Sequence, residues 1–243
     1  MLDRQTVAVL TLAPVLGILQ YHLGDRDLGA RVVARWNLSP GWAGLWGWGW
    51  WFDVQGMLGF LIPVALLRWG FRQPWREMGL GAGNGRFAAT LALLYLPLVA
   101  VGTWVLSNRP DFQAHYPHYG PAAQDWGLFW AYQALFLFYW MGWEYLWRGF
   151  VLFGTRRALG FWAVFVQMIP FAVMHAQKPW PEALLSVVGG LALGVLCWRA
   201  GAFWIAVPIH SAQMLLLDLF CTLRLRTGAS GLGWEALRKM LGG

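Results

Sequence analysis

Long apolar segments dominate this chain and decide what it can fold into. An α-helix needs roughly 20 mostly apolar residues to cross a bilayer. Seven segments reach or approach that length: 6–23, 43–67, 87–107, 126–153, 159–175, 182–198 and 201–221. The fifth and sixth are short, and residues 24–45 leave room for an eighth short membrane element. We therefore expect an all-α polytopic transmembrane helical bundle of about seven membrane helices, between six and eight.

Composition supports a lipid environment. Hydrophobic residues make up 58% of the 243 residues and charged residues only 12%, whereas a soluble domain has roughly 25% charged residues. We expect one integral membrane domain over 1–243, with the first segment kept as an anchor and not cleaved as a signal peptide. The lone cysteines, Cys197 and Cys221, lie in apolar stretches and favour buried thiols over a disulfide. Because no soluble basic face is visible, a nucleic-acid partner is not expected.

The distribution of basic residues predicts the sidedness of the loops, since Lys and Arg concentrate in cytoplasmic loops. Residues 68–86 carry four Arg against one Glu and are expected inside. Residues 108–125 carry Asp111, Asp125 and one Arg and are expected outside. The basic tail 222–243 would then also lie outside, against the same rule. Either one crossing is miscounted or the tail lies on a membrane surface.

Four acidic residues lie within or at the edge of apolar segments, namely Asp53, Glu144, Glu182 and Asp218. A charge at mid-membrane costs about 2.5–3.5 kcal/mol on insertion scales, so such residues are functional candidates. Glu144 and Arg148 are spaced i, i+4, which places them on one helix face. They form either a structural ion pair or part of a polar site. Glu182 is expected at a helix N-terminus, and no chemistry is assigned to Asp53.

Two histidines follow Glu144 in later apolar segments. His175 ends one segment, and His210 lies inside another with Gln213 and Asp218 nearby. Each histidine alone is more simply a structural residue. Together with Glu144 they make a carboxylate and two imidazoles, the side chains that activate water in hydrolases. Two further histidines, at 115 and 118, fall in the outside loop and are expected to be solvated.

Three motifs occur in order, each in its own apolar segment. They are "WEYLWRG" (143–149), "FAVMH" (171–175) and "IHSAQM" (209–214). Over about residues 126–221 they resemble the CAAX prenyl protease and bacteriocin-processing family of intramembrane endopeptidases. Trp143 stands where that family has its first Glu, and Met214 stands where it has Asn. The Trp-Glu-x-x-x-Arg variant resembles the myxosortase-like branch, which is associated with removing C-terminal membrane anchors from surface proteins.

The resemblance implies roles for named residues. Glu144 would activate water together with His175, Arg148 would position Glu144, and His210 would help bind the carbonyl oxygen or the water. Weaker supporting residues would be Gln213, Asp218 and Trp143, with Trp143 and Trp147 flanking the charged pair. No cofactor and no tightly bound metal are predicted, although one Glu and two His leave a divalent metal open.

The predicted function is therefore that of a hydrolase, a glutamate-type intramembrane endopeptidase whose family is often labelled metalloprotease. It would cleave a membrane-anchored protein or peptide near its C-terminal anchor or tail, in a bacterial inner membrane. Two alternatives remain: a catalytically degenerate scaffold or immunity-type binding protein, and a transporter with Glu144 carrying a proton. One geometric difficulty also stands. A turn near residue 153 would leave Glu144 and His175 about 10 Å apart in depth, unless Pro170 breaks its helix.

Overall fold

The computed structural model describes residues 2–242, and these form helices and turns without strands. The α-helices are α1 (Arg4–Leu23), α2 (Arg26–Val33), α3 (Pro40–Gly56), α4 (Ile62–Ala65), α5 (Gly85–Ser107), α6 (Pro110–His115), α7 (Trp126–Glu144), α8 (Leu152–Leu159), α9 (Ala163–Val173), α10 (Trp180–Ala200), α11 (Ala206–Thr227) and α12 (Trp234–Leu241). Wider π-helical turns join α3 to α4 and α7 to α8 without a break. The expected all-α membrane bundle is confirmed.

Six helical stretches within the described residues are long and apolar enough to cross a membrane. They are α1, the continuous helix Pro40–Gly70, α5, the stretch Trp126–Val173, α10 and α11. The stretch Trp126–Val173 contains the crossing α7–α8 and then the short α9. Six lies within the expected range. The extra element foreseen between 24 and 45 is the eight-residue α2 followed by a short 3₁₀ turn, which is not a crossing.

The fourth apolar segment is longer than the expected 126–153, and the fifth is shorter than a crossing. Helix α8 continues to Leu159 and ends at Gly160, where φ is +55°. Helix α9 has only 11 residues and contains Pro170 without ending there. From Gly160, Glu144 is 16 residues back and His175 is 15 residues on. At about 1.5 Å per residue, the two side chains therefore reach a similar depth. The depth difficulty came from placing the turn too early.

Glycines let α7 pack against the helix that precedes it. A Cβ atom on Gly142 would lie 2.2 Å from the backbone oxygen of Gln55 and 2.9 Å from Cα of Gly56. A Cβ atom on Gly59 would lie 2.3 Å from the backbone oxygen of Gly142. Only glycine fits at such a backbone approach. This contact sets the position of α7 two residues before Glu144.

Two groups of contacts define the two ends of the bundle. At one end, the amide of Asn84 donates to the carbonyl of Ala200. At the other end, Arg226 donates to the carbonyls of Ala123 and Gln124. The tail therefore lies at the same end as loop 108–125, as the expected sidedness required. Arg224 is buried and donates to Ser107 and Asn108, so this basic residue is part of the helix packing.

Candidate active site

Glu144, Arg148 and His210 form one hydrogen-bonded cluster in the interior. Nδ1 of His210 lies 2.6 Å from Oε1 of Glu144. Nη1 of Arg148 lies 3.1 Å from each carboxylate oxygen, and its hydrogen bond points to Oε1. The side chains of Glu144 and Arg148 have no exposed surface. Among the described residues Oε2 of Glu144 accepts no hydrogen bond, so it keeps a free acceptor site.

A π-helical turn carries Arg148 into this cluster. Helix α7 ends at Glu144, and Tyr145–Val151 continue as a π-helix. Such local widening of an α-helix is often found at functional sites. The guanidinium carbon of Arg148 lies 4.0 Å from the ring centre of Phe171, a cation–π distance. Arg148 is therefore in contact with both the Glu144 carboxylate and the Phe171 ring.

His175 packs against the same Phe171 ring. Its Nδ1 lies 2.7 Å from the carbonyl oxygen of Phe171, so Nδ1 carries the hydrogen and Nε2 is free to accept. The ring centre of Phe171 is 4.5 Å from that of His175 and 6.0 Å from that of His210. Phe171 thus lies against both imidazoles. The sequence motif included Phe171 but gave no signal for this packing.

Both histidines line a cavity of about 320 Å³ between α5, α10 and α11. Glu144 is not part of the cavity wall and lies behind His210. Gln213, one turn after His210, lines the same cavity. Substrate or water in the cavity would therefore meet the imidazoles before it meets the carboxylate.

The weaker predicted site residues are placed differently from one another. Asp218 is fully buried outside the cavity wall, and its Oδ2 accepts from Nε2 of Gln133 at 2.7 Å. Trp143 is buried against Phe171 and His175. Met214 is buried. Trp140 belongs to none of the three motifs, although its ring centre lies 4.2 Å from that of His210. A tryptophan four residues before Glu144 gave no separate signal in a chain with 19 of them.

A second polar cluster closes the cavity end nearest loop 108–125. The hydroxyl of Tyr116 donates to Oε2 of Glu182 at 2.5 Å. Nζ of Lys178 donates to that hydroxyl at 2.9 Å and lies 2.7 Å from Nε2 of His118. Glu182 is in the first turn of α10, as expected. The expectation that His115 and His118 are solvated was wrong, because the Trp48 ring and Lys178 contact His118 and the Tyr116 ring contacts His115.

Burial sets the protonation of this cluster. Burial, followed by the charge of Lys178, lowers the pKa of His115 to about 4. Burial followed by Lys178 also holds the pKa of His118 well below its usual range. The pKa of Lys178 is lowered by burial and raised again by the Glu182 carboxylate. Both imidazoles are therefore neutral at pH 7, and His118 is an acceptor for Lys178.

The described residues give little support for a metal ligand set. Within residues 2–242 no group of three or more His, Cys, Asp or Glu side chains is arranged to hold a metal ion. Nδ1 of His210 is hydrogen-bonded to Glu144, and Nδ1 of His175 is hydrogen-bonded to a backbone carbonyl. The side chains present do not fit a three-ligand site, and the absence of a tightly bound metal remains a prediction.

An apolar groove continues from the cavity along α5 and α10. A depression of about 290 Å³ adjoins it and shares Tyr95, Leu98 and Leu193 with it. A further depression of about 480 Å³ shares Leu91 and Leu196 with the previous one. The groove thus runs from the histidines along the helices, with mostly leucine, valine and alanine walls.

Comparison with protein families matches the segment that carries these residues. Residues 125–216 match the model of the Rce1-like family, described as type II CAAX prenyl endopeptidase Rce1-like. The match contains Glu144, Arg148, His175 and His210. The chain matches no curated protein and no solved structure. The resemblance inferred from the three motifs is confirmed: residues 125–216 of this chain are similar to the Rce1-like type II CAAX prenyl endopeptidases.

Proposed function

We propose that this protein is an intramembrane endopeptidase that cleaves a membrane-anchored protein near its C-terminal anchor or tail. The family supports a CAAX-type protease acting on a membrane-associated protein in a lipid environment. The observation that carries the finer proposal is the bond between His210 Nδ1 and Glu144 Oε1, beside a cavity that His175 also lines. Removal of surface-protein anchors, as in the myxosortase-like branch, and residence in a bacterial inner membrane belong to this proposal.

The geometry favours His210 as the group that takes the proton from water. With its Nδ1 hydrogen on Glu144, a neutral His210 has an unprotonated Nε2. As the water oxygen attacks the carbonyl carbon, Nε2 accepts a water proton, and the Glu144 carboxylate stabilises the resulting imidazolium. The proton then passes to the leaving nitrogen as the C–N bond breaks. The sequence predicted Glu144 itself as the base, but this carboxylate lies behind the imidazole.

Two other side chains complete the proposed chemistry. Nε2 of His175 is free to accept a hydrogen bond and orients the attacking water. The Gln213 amide lines the cavity and supplies N–H donors for the negative charge that develops on the carbonyl oxygen. Met214, at the position of the family's Asn, has only a thioether and cannot donate. Arg148 holds Glu144 in its charged form and does not reach the cavity wall.

The groove beyond the cavity indicates how the substrate lies. Its walls between α5 and α10 are apolar and suit an apolar membrane anchor. A peptide carbonyl in a helix is occupied by an internal hydrogen bond, so cleavage requires an extended segment at the histidines. The anchor would then occupy the groove, and the scissile bond would lie next to His175 and His210.

The central test replaces Glu144 by Gln. The amide oxygen still accepts from His210 and Arg148, so the fold should be kept, although at lower stability because Arg148 loses its counter-charge. No negative charge remains to stabilise the imidazolium. We expect trimmed C-termini to disappear when membrane proteins from cells with wild-type protein or E144Q are compared by C-terminal mass spectrometry. E144D, which keeps the charge, should recover part of the trimming. Normal trimming by E144Q would exclude the assignment.

The departures at Trp143 and Met214 favour one alternative, a binding protein that keeps the family fold without catalysis. Cells that express histidine variants distinguish this binding protein from a protease. If His175→Ala and His210→Ala both leave the cellular phenotype of the wild type intact, the cavity serves binding and not hydrolysis.

A further inference from the structure

The cavity beside the histidines contains one charged side chain. Its wall is mostly apolar, and Glu182 is the only Asp, Glu, Lys or Arg among the described residues that line it. Glu182 lies in the first turn of α10, where the helix dipole favours a negative charge. The proposed hydrolysis does not use this carboxylate.

One oxygen of Glu182 remains available to a ligand. Its Oε2 accepts from the Tyr116 hydroxyl at 2.5 Å. Its Oε1 forms an ion pair with Nζ of Lys178 at 3.9 Å, which is beyond hydrogen-bond distance. Lys178 is instead held by Tyr116 and His118. A second cation at Oε1 would therefore displace no existing hydrogen bond, and the side chain of Glu182 is 13% exposed.

The position of Glu182 along α10 sets its distance from the histidines. Phe171 lies against both imidazoles and packs on α10 at Gly190, where a Cβ atom would lie 3.0 Å from its ring. Glu182 lies eight positions before Gly190 on α10, which is about 12 Å at 1.5 Å per residue. An extended peptide covers about 3.3 Å per residue, so roughly four residues separate the two points.

We propose that Glu182 binds the cationic side chain of a substrate Lys or Arg, about four residues from the scissile bond on the side away from the membrane anchor. This inference rests on the proposed endopeptidase function and names a feature of its substrate. Lys and Arg have apolar stems that pack along apolar surface while the charged head reaches a polar partner. Phe112 and Leu185 line the cavity and offer such surface to the stem.

Peptide binding tests the proposal without requiring cleavage. The full-length chain with E144Q, in detergent, is titrated with fluorescent peptides that have an apolar C-terminal half. The N-terminal half consists of Gly and Ser with a single Lys, Gln or Glu, placed at successive positions. We expect the best Lys peptide to bind at least about tenfold more tightly than its Gln counterpart, as for a charge-assisted hydrogen bond. The Glu counterpart should bind least.

Two further variants assign the preference to the proposed residue. Adding E182Q, which keeps an acceptor for Tyr116, should abolish the difference between the Lys and Gln peptides. Adding E235Q removes a negative charge from exposed α12 at the same end of the bundle and should leave the difference unchanged. Equal affinity for Lys and Gln peptides, a preference that survives E182Q, or no peptide binding would each overturn the proposal.

The outcome is separable from that of the proposed function. Glu144-dependent trimming in cells combined with no Lys preference rejects only the role of Glu182. A preference that depends on Glu182, without Glu144-dependent trimming, identifies a peptide-binding site and rejects the protease.

Discussion

At the scale of single residues, the buried pair of Glu144 and Arg148 illustrates how an unfavourable charge is tolerated. Both side chains are inaccessible to solvent, and the carboxylate oxygen that Arg148 bonds also receives the hydrogen bond from His210. Nε and Nη2 of Arg148 have no hydrogen-bond partner among residues 2–242. Removing one member of a buried pair is more harmful than removing both, because the remaining charge has no partner.

Arg148→Met should therefore lower the free energy of unfolding by about 3–5 kcal/mol. The double variant E144Q/R148M should recover most of that loss, since no unpaired charge is left in the interior. Unfolding of the purified protein in detergent, followed by circular dichroism, measures both values. If the two single losses simply add in the double variant, the pair contributes no mutual stabilisation.

At the scale of helices, the approach of α7 to α3 positions the site. A Cβ on Gly142 would meet backbone atoms of Gln55 and Gly56, which cannot rotate away. Gly142→Ala should push α7 outward, lower the free energy of unfolding by about 1–3 kcal/mol as other overpacked cores do, and reduce processing. Thermal unfolding and the C-terminal assay measure the two effects.

Gly17→Ala on α1 is the matched control. A Cβ at this helical position meets nothing within 4 Å, and Ala is favoured over Gly inside a helix by about 0.5–1 kcal/mol. Its stability should therefore stay the same or rise. Equal behaviour of the two variants would show that the approach of α7 to α3 does not limit packing.

At the scale of the whole molecule, the bundle places loop 108–125 and the tail at one end and residues 71–84 at the other. Single cysteines at Gly120, Gly233 and Gly85, which are all exposed, report the two faces. An impermeant thiol reagent should label Gly120→Cys and Gly233→Cys in intact cells and Gly85→Cys only after permeabilisation. The native Cys197 and Cys221 are buried and should give little background.

Two labelling results would contradict either the fold or its expected sidedness. Different labelling of Gly120→Cys and Gly233→Cys would contradict the fold, which joins their segments through Arg226. Labelling of Gly85→Cys in intact cells, with Gly120→Cys and Gly233→Cys labelled only after permeabilisation, would leave the fold intact. It would reverse the sidedness inferred from the basic loop. It would also move the end of the cavity at Glu182 to the cytoplasmic side.

Some features follow from the sequence because they depend on local composition. The apolar segments predict α1, α5 and α10 to within two residues at each end, because a helix satisfies the backbone hydrogen bonds of an apolar segment within that segment. Helix α11 begins five residues and ends six residues later than the expected 201–221. The amphipathic stretch 234–241 likewise forms α12. The motifs also identified Glu144, Arg148 and the two histidines, because ionisable residues in apolar segments are conspicuous.

Only the tertiary structure decided how those residues meet. It placed His210, and not His175, on the Glu144 carboxylate, and it joined Glu182 to Tyr116 across 66 positions of chain. Such contacts depend on where α8 turns and on how closely α7 approaches its neighbour. Those distances are set by π-helical turns and glycine contacts between helices, and the hydrophobicity of a single segment carries no information about them.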